Sequence, residues 1–170
     1  MINQNLQISE NEIFNIAFNR NLSQGLIKKT QIDVAEEMWI REWISEEFYQ
    51  NLLTDEEGDY FDFIDFFIKP IIAWGTVYNN FDYISTNITD KGILQMFVEG
   101  GATIIDRNSR FDAKMEILRT IYMLIRRMQR YGTSQKASDN ILFENFEVNN
   151  ELTPSIIKFY GSERLNLIPY

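Results

Sequence analysis

Carboxylates are the side chains with the most chemistry to offer in this chain, because its 170 residues include no cysteine and no histidine. That absence removes disulfides, thiolate zinc sites, cysteine nucleophiles, Ser-His-Asp triads and imidazole bases together. Asp55-Glu56-Glu57-Gly58-Asp59 invites a calcium reading. A helix–loop–helix calcium site needs alternating oxygen ligands, a central glycine and a closing bidentate glutamate. Here the acids are adjacent and Tyr60-Phe61-Asp62 follows, so the loop reads as solvated, and neither a metal nor a cofactor is expected. Asp62 and Asp65 stand among Phe61, Phe63, Phe66 and Phe67. Aromatic surroundings can raise a carboxyl pKa and create an acid/base pair. The plainer reading, adopted here, turns both toward solvent or onto a basic helix, and no catalytic residue is assigned.

Gly92, Gly100 and Gly101 belong to no phosphate-binding pattern, since neither GxxxxGK[ST] nor GxGxxG occurs. Arg119, Arg126, Arg127 and Arg130, interleaved with Tyr122 and Tyr131, could meet phosphates. The net charge of −9 and the lack of any nucleic-acid motif favour non-specific proximity to DNA over sequence-specific binding. The charge is unevenly distributed. From Asp33 to Asp65 nearly every charge is acidic, with Arg41 the exception, whereas basic residues dominate from Arg107 to Arg130. Two such faces can neutralise each other within one fold. They can also be offered to different partners or to neighbouring copies of the same chain.

The elements that position these groups follow from periodicity. Ser9 and Glu12 form an S-x-x-E capping box for a short helix near 10–19, with Ile13, Phe14, Ala17 and Phe18 as its apolar stripe. Thr30 and Asp33 suggest a weaker box opening a long amphipathic helix over roughly 31–53, with Ala35, Trp39, Trp43, Ile44, Phe48 and Leu52 facing inward. Glu37 and Arg41 take the favourable i, i+4 spacing on it. A second long helix is expected over about 59–84, apolar nearly all round, and kinked or broken near Phe67–Lys69 by Pro70. Glu99-Gly100-Gly101 between two short apolar runs predicts a β-hairpin over 93–105. The last long helix carries Met115, Leu118, Ile121, Tyr122, Ile125 and Met128 inward and is expected to end at Gly132. Residues 133–140 read as a polar linker. The remainder has no helical period, yet Ile156, Ile157, Phe159, Tyr160, Leu167, Ile168 and Tyr170 are too apolar for a solvated tail.

Hydrophobic residues make up 45% and aromatics 14%, which rules out a disordered chain. No apolar run reaches the roughly 18 residues a membrane helix needs, and the opening MINQNLQISENEIF has no secretory character, so no membrane association is expected. The predicted class is mainly α: three long helices plus a short N-terminal one, a hairpin and an extended C-terminal arm. Residues 1–29 form the N-terminal helix and connection, 30–131 the helical core, and 132–170 the linker and arm.

The order of segments carries a resemblance. An I-x-x-A-E helix (Ile32, Ala35, Glu36) runs to S-E-E-F-Y-x-x-L (Ser45 to Leu52). F-I-x-P-I-I-A-W (Phe67 to Trp74) leads to T-N-I-T-D-K-G-I (Thr86 to Ile93). A basic helix from Lys114 to Met128 closes the set. This order resembles the head–tail connector, or neck adaptor, proteins of tailed bacteriophages. It covers about residues 30–131, and T-N-I-T-D-K-G-I is its most specific part. The resemblance implies a virion structural protein without an active site, forming a homo-oligomeric ring of about twelve copies beneath the portal. It also implies contacts with the portal protein and further neck or tail proteins, and a channel through which packaged DNA passes. The interface residues expected on this reading are Arg119, Arg126, Arg127 and Arg130 against an acidic surface, Gly100 and Gly101 at the hairpin tip, and Ile156, Ile157, Phe159, Tyr160, Leu167 and Tyr170 as anchors of the arm. The rival readings are a non-virion helical binding module (a regulator or inhibitor) and, third, a carboxylate-dependent enzyme.

Overall fold

In a computed structural model of the chain, which describes residues 6, 8–18, 27–55, 57–87 and 107–150, the protein is mainly helical. Among the described residues six helices follow one another: α1 (Glu10–Phe18), α2 (Lys29–Glu36, extended by a π turn over Glu37–Arg41), α3 (Glu46–Thr54), α4 (Phe61–Phe63, a π turn over Ile64–Ile68, then Lys69–Asn79), α5 (Phe81–Asn87) and α6 (Arg107–Ala137). A 3₁₀ turn, Ile141–Phe143, follows α6. Among the described residues the only β pairing is an isolated antiparallel bridge between Ile44 and Val148. The hairpin expected over 93–105, with Gly100 and Gly101, lies outside the described residues, as do 151–170.

The capping box at Ser9 forms in full. The Ser9 N–H donates to Glu12 Oε2 at 2.8 Å, and the Glu12 N–H donates to Ser9 Oγ at 3.3 Å. Both partners satisfy donors that the first helical turn leaves without a backbone acceptor. The box expected at Thr30 and Asp33 does not form. Instead α2 starts at Lys29, and the Gln31 side chain reaches back to accept from the Lys28 N–H at 2.8 Å.

The long helix expected over 31–53 is two helices. Glu42 and Trp43 turn, Ile44 is extended enough to pair with Val148, and Ser45 (φ −59°, ψ 142°) starts α3. The apolar spacing carries across the break unaltered, which is why periodicity alone reads through it. What imposes the break is the chain at 145–150, laid along it as a strap. The Ser45 N–H donates to the Glu147 carbonyl at 2.9 Å, and Ser45 Oγ donates to the Asn145 carbonyl at 2.6 Å. Asn149 Nδ2 donates to the Ile44 carbonyl, and Asn150 Nδ2 to the Glu42 carbonyl at 2.7 Å. Backbone groups that a continuous helix would use internally are thus satisfied by a distant segment.

α4 is the central element and packs against α1, α2 and α6. Pro70 has no N–H to offer the Phe66 carbonyl, and the irregularity expected there takes the form of the π turn Ile64–Ile68 immediately before it. Ile68, Ile71, Ile72 and Ala73 of α4 are fully buried. Two aromatic groups flank them. Trp39 sits edge-on to Tyr78 (5.8 Å between ring centres) and Tyr122 (6.1 Å). Phe48 meets Tyr60, Phe63, Phe143 and Phe146 at 5.0–5.6 Å.

The end of the last helix also differs from expectation. α6 passes through Gly132 and runs to Ala137, and the residue that leaves the helix in the left-handed region is Asp139 (φ 54°). Aspartate is one of the few non-glycine residues that tolerates this conformation, because its short polar side chain can bond locally. The stretch 133–140 is therefore mostly helix and not linker. Phe143 and Phe146 beyond it are buried in the core, so the chain is packed as far as the strap that ends at Asn150.

Candidate interaction surface

Two of the carboxylates that invited a chemical reading, Asp55 and Asp65, have structural roles. Asp55, nearly buried, accepts three backbone N–H bonds: Oδ1 from Gly58 (2.9 Å) and Asp59 (3.1 Å), and Oδ2 from Tyr60 (3.0 Å). Gly58 takes φ +82° to close that turn, a conformation L side chains rarely adopt. Asp55 thus organises the approach to α4, and its oxygens are directed at the backbone of its own loop. Among the described residues no group of three or more acids is placed to hold a metal ion. Asp65 bonds Lys69 one turn on, at 2.8 Å, and the same Nζ lies 3.5 Å from Glu12 Oε1, tying α1 to α4. Asp62 is exposed. Asp62 and Asp65 are not drawn to the last helix by any ion pair among the described residues.

One carboxylate that the sequence reading passed over is perturbed. Glu36 is half-buried between α2 and α3 and accepts from the Tyr49 hydroxyl at 2.6 Å. Burial raises its pKa, the Tyr49 bond offsets part of that, and neighbouring Asp33 and Glu37 raise it further. The Tyr49 hydroxyl is pushed upward by burial and by its bond to Glu36. Arg41 lies 5.7 Å over the Tyr49 ring and is held by Glu46 (2.8 Å) and by Glu37 (3.1 Å), the pair expected from the i, i+4 spacing. Spacing along the chain gives no signal for the Glu36–Tyr49 contact, because the helix break lies between the two residues.

α6 presents a long charged surface. Its inward residues Ile117, Leu118, Ile121, Tyr122, Ile125, Met128 and Gln129 are buried, and the opposite side exposes Glu116, Arg119, Met123, Arg126, Arg127 and Arg130. Arg119 pairs with Glu116 at 2.8 Å. No described ion pair reaches Arg126, Arg127 or Arg130. Where α6 does bond to other elements by charge, it uses its ends: Lys114 with Asp82 (3.2 Å) and Lys136 with Glu147 (3.5 Å). The helix therefore brings the four expected arginines together on one outer face. Met123, which sequence reasoning did not name, sits among them half exposed. The other expected interface residues, Gly100, Gly101, Ile156, Ile157, Phe159, Tyr160, Leu167 and Tyr170, lie outside the described residues.

A second surface lies on the first turns of α4. Phe61 and Phe66 are 62% and 69% exposed, with Asp62 and Asp65 exposed beside them. Phe61 and Asp65, and likewise Asp62 and Phe66, are four residues apart, the spacing that puts side chains on one side of a helix. Large aromatics this open, edged by charge, are a mark of surfaces that meet another molecule.

No helix among the described residues is long and apolar enough to cross a membrane. No protein-family model, curated protein or solved structure matches the chain.

Proposed function

We propose that this protein is a non-catalytic structural component of a tailed-phage virion: an adaptor that forms a ring in the neck, joins the portal to the tail and continues the DNA channel. The observation that carries this reading is the outer face of α6, where Arg126, Arg127 and Arg130 have no described ion pair and stand ready for an acidic surface. The order of segments over 30–131 supports it, as does the use of Asp55 and Asp65 for internal bonds. A ring of identical subunits requires two different patches that fit each other. Residues 93–105 and those beyond Asn150, which the sequence leads one to expect as a hairpin and an arm, would on this reading supply further contacts to neighbours or to the portal. The excess of negative charge lets duplex DNA slide through the lumen without adhering.

The test is quantitative mass spectrometry of purified particles from the source, scaled to the capsid protein. A copy number near the subunit count of a single ring, about twelve, is the expected result. Absence from particles overturns the assignment and promotes a helical binding module that acts outside the virion.

A further inference from the structure

We propose that the Phe61–Asp62–Asp65–Phe66 face of α4 docks on the Met123–Arg126–Arg127–Arg130 face of α6 in a second copy of this chain. Each face has what the other lacks. The α4 face offers two open aromatic rings and two carboxylates, and the α6 face offers three guanidinium groups around a flexible thioether. Arginine is suited to such a partner because its planar head both pairs with carboxylates and stacks on aromatic rings. Methionine beside an aromatic gains a further favourable contact and adapts to its shape.

Among the described residues neither face is fully satisfied within one copy of the chain. No described ion pair reaches Asp62, Arg126, Arg127 or Arg130, and the Asp65–Lys69 pair is a local one that leaves Asp65 exposed. Phe61 and Phe66 stay open, although the adjacent Phe63 and Phe67 are drawn inward onto Tyr131 (6.1 and 5.0 Å between ring centres). Buried aromatic and arginine anchors supply most of the energy in protein interfaces, and opposite charges set the register and suppress wrong pairings. An acidic face meeting a basic one also explains why a chain of net charge −9 keeps an arginine strip along its longest helix.

This inference deepens the ring reading by naming the two faces of the subunit contact, but it stands on those faces alone. It is tested on the purified full chain by sedimentation velocity over a range of concentrations at low and high salt. The wild type is expected to self-associate, more weakly at high salt because the Debye length falls from about 10 Å at 0.1 M to about 3 Å at 1 M. Two variants each break one face: R126E/R127E and F61S/F66S, both at exposed positions, with helix content checked by circular dichroism. Each alone is expected to lose self-association, and an equimolar mixture of the two is expected to form a 1:1 complex through the one intact pair of faces. A wild type that stays monomeric throughout, variants that associate like the wild type, or a mixture that stays monomeric would each overturn the pairing.

A photo-crosslinker at position 66, with isotopically heavy and light chains mixed, is expected to capture the α6 segment of another copy. Capture of residues 151–170 of the same chain would overturn the pairing by showing that the face is covered from within. Wild-type growth beyond a dimer supports both the pairing and the ring. A wild type that stops at a dimer, with the mixing result intact, supports the pairing and removes the ring.

Discussion

The ring of Phe146 occupies the space that a side chain at position 132 would need: a Cβ on Gly132 would fall under 3.0 Å from Phe146 Cζ. Helix α6 is continuous there, so this glycine is required by the close approach of the 141–150 segment and not by a left-handed backbone. Gly75 of α4 has the same relationship to Trp39, where a Cβ would also come under 3.0 Å from Trp39 Cδ1. Each of the two aromatic groups in the core is thus seated on a bare stretch of helix.

Gly132→Ala is therefore expected to destabilise the fold even though alanine favours helix. The propensity gain is about 1 kcal/mol, and forcing a methyl against a buried ring costs about 1–3 kcal/mol. Because Phe146 is held by Phe48, Phe63 and Phe143, its ring has little room to yield. Urea denaturation should show a net loss of stability for G132A. Combining it with Phe146→Leu should cost less than the sum of the two single changes, since they share one contact.

The strap makes a sharp prediction about truncation. Ending the chain after Asn150 removes none of the described bonds that hold Glu42, Ile44 and Ser45, and should leave the helical circular-dichroism signal largely intact. Ending it after Asn140 removes Phe143 and Phe146 as well, each worth about 3–5 kcal/mol when lost from a core, and should unfold the protein. Equal behaviour of the two truncations would contradict the packing of this segment.

Asp55→Ala should cost about 1–3 kcal/mol, because it leaves three loop N–H groups without their acceptor. Asp55→Asn, which keeps one acceptor oxygen, should cost less. Calcium added to the wild type should not shift its thermal midpoint, in keeping with a carboxylate committed to its own backbone. A calcium-dependent rise would restore the metal reading of the loop.

Glu36 and Glu12 should pull stability in opposite directions with pH. The folded-state pKa of Glu36 is raised above its ordinary 4.5, so the folded state holds this proton more tightly than the unfolded chain. Its contribution is most favourable below 4.5 and is lost as pH rises through the folded value. For Glu12, burial alone would raise the pKa, but the Ser9 N–H and hydroxyl together with Lys69 outweigh it and the net shift is downward. Its contribution is present above 4.5 and is lost as pH falls through the folded value. Glu36→Gln keeps an acceptor for Tyr49 and removes the charge. Relative to wild type, it should gain stability between pH 4.5 and 7, measured by denaturant melts across that range.

R126E/R127E should leave the unfolding free energy within about 0.5 kcal/mol of wild type, since both side chains are exposed and carry no described ion pair. Attachment to particles, scored by assembly of the mutant protein into virions, should be lost. Normal incorporation would reduce the arginine strip to a solvated surface.

Local rules were readable directly from the chain. The Ser9–Glu12 capping box, the Glu37–Arg41 pair, the inward stripes of α1 and α6 and the disturbance ahead of Pro70 all depend on residues within about a turn of one another, so sequence spacing determined them. The arginine face of α6 was equally legible, because a helix fixes which side chains share a side. Three features depended on contacts across the chain, and only the tertiary structure decided them. The split of the expected 31–53 helix exists because the chain 100 positions later supplies bonds to Ser45, with an apolar spacing that is the same on either side of the break. Gly132 read as a helix end, since its partner Phe146 was invisible to local periodicity; the true exit, Asp139, carries a conformation that aspartate only sometimes adopts. Asp55 read as solvated acid, and became a buried cap once the turn at Gly58 folded three N–H groups toward it. Spacing along the chain fixes what neighbours can do for each other, and the free energy of packing distant segments decides which of those local possibilities survives.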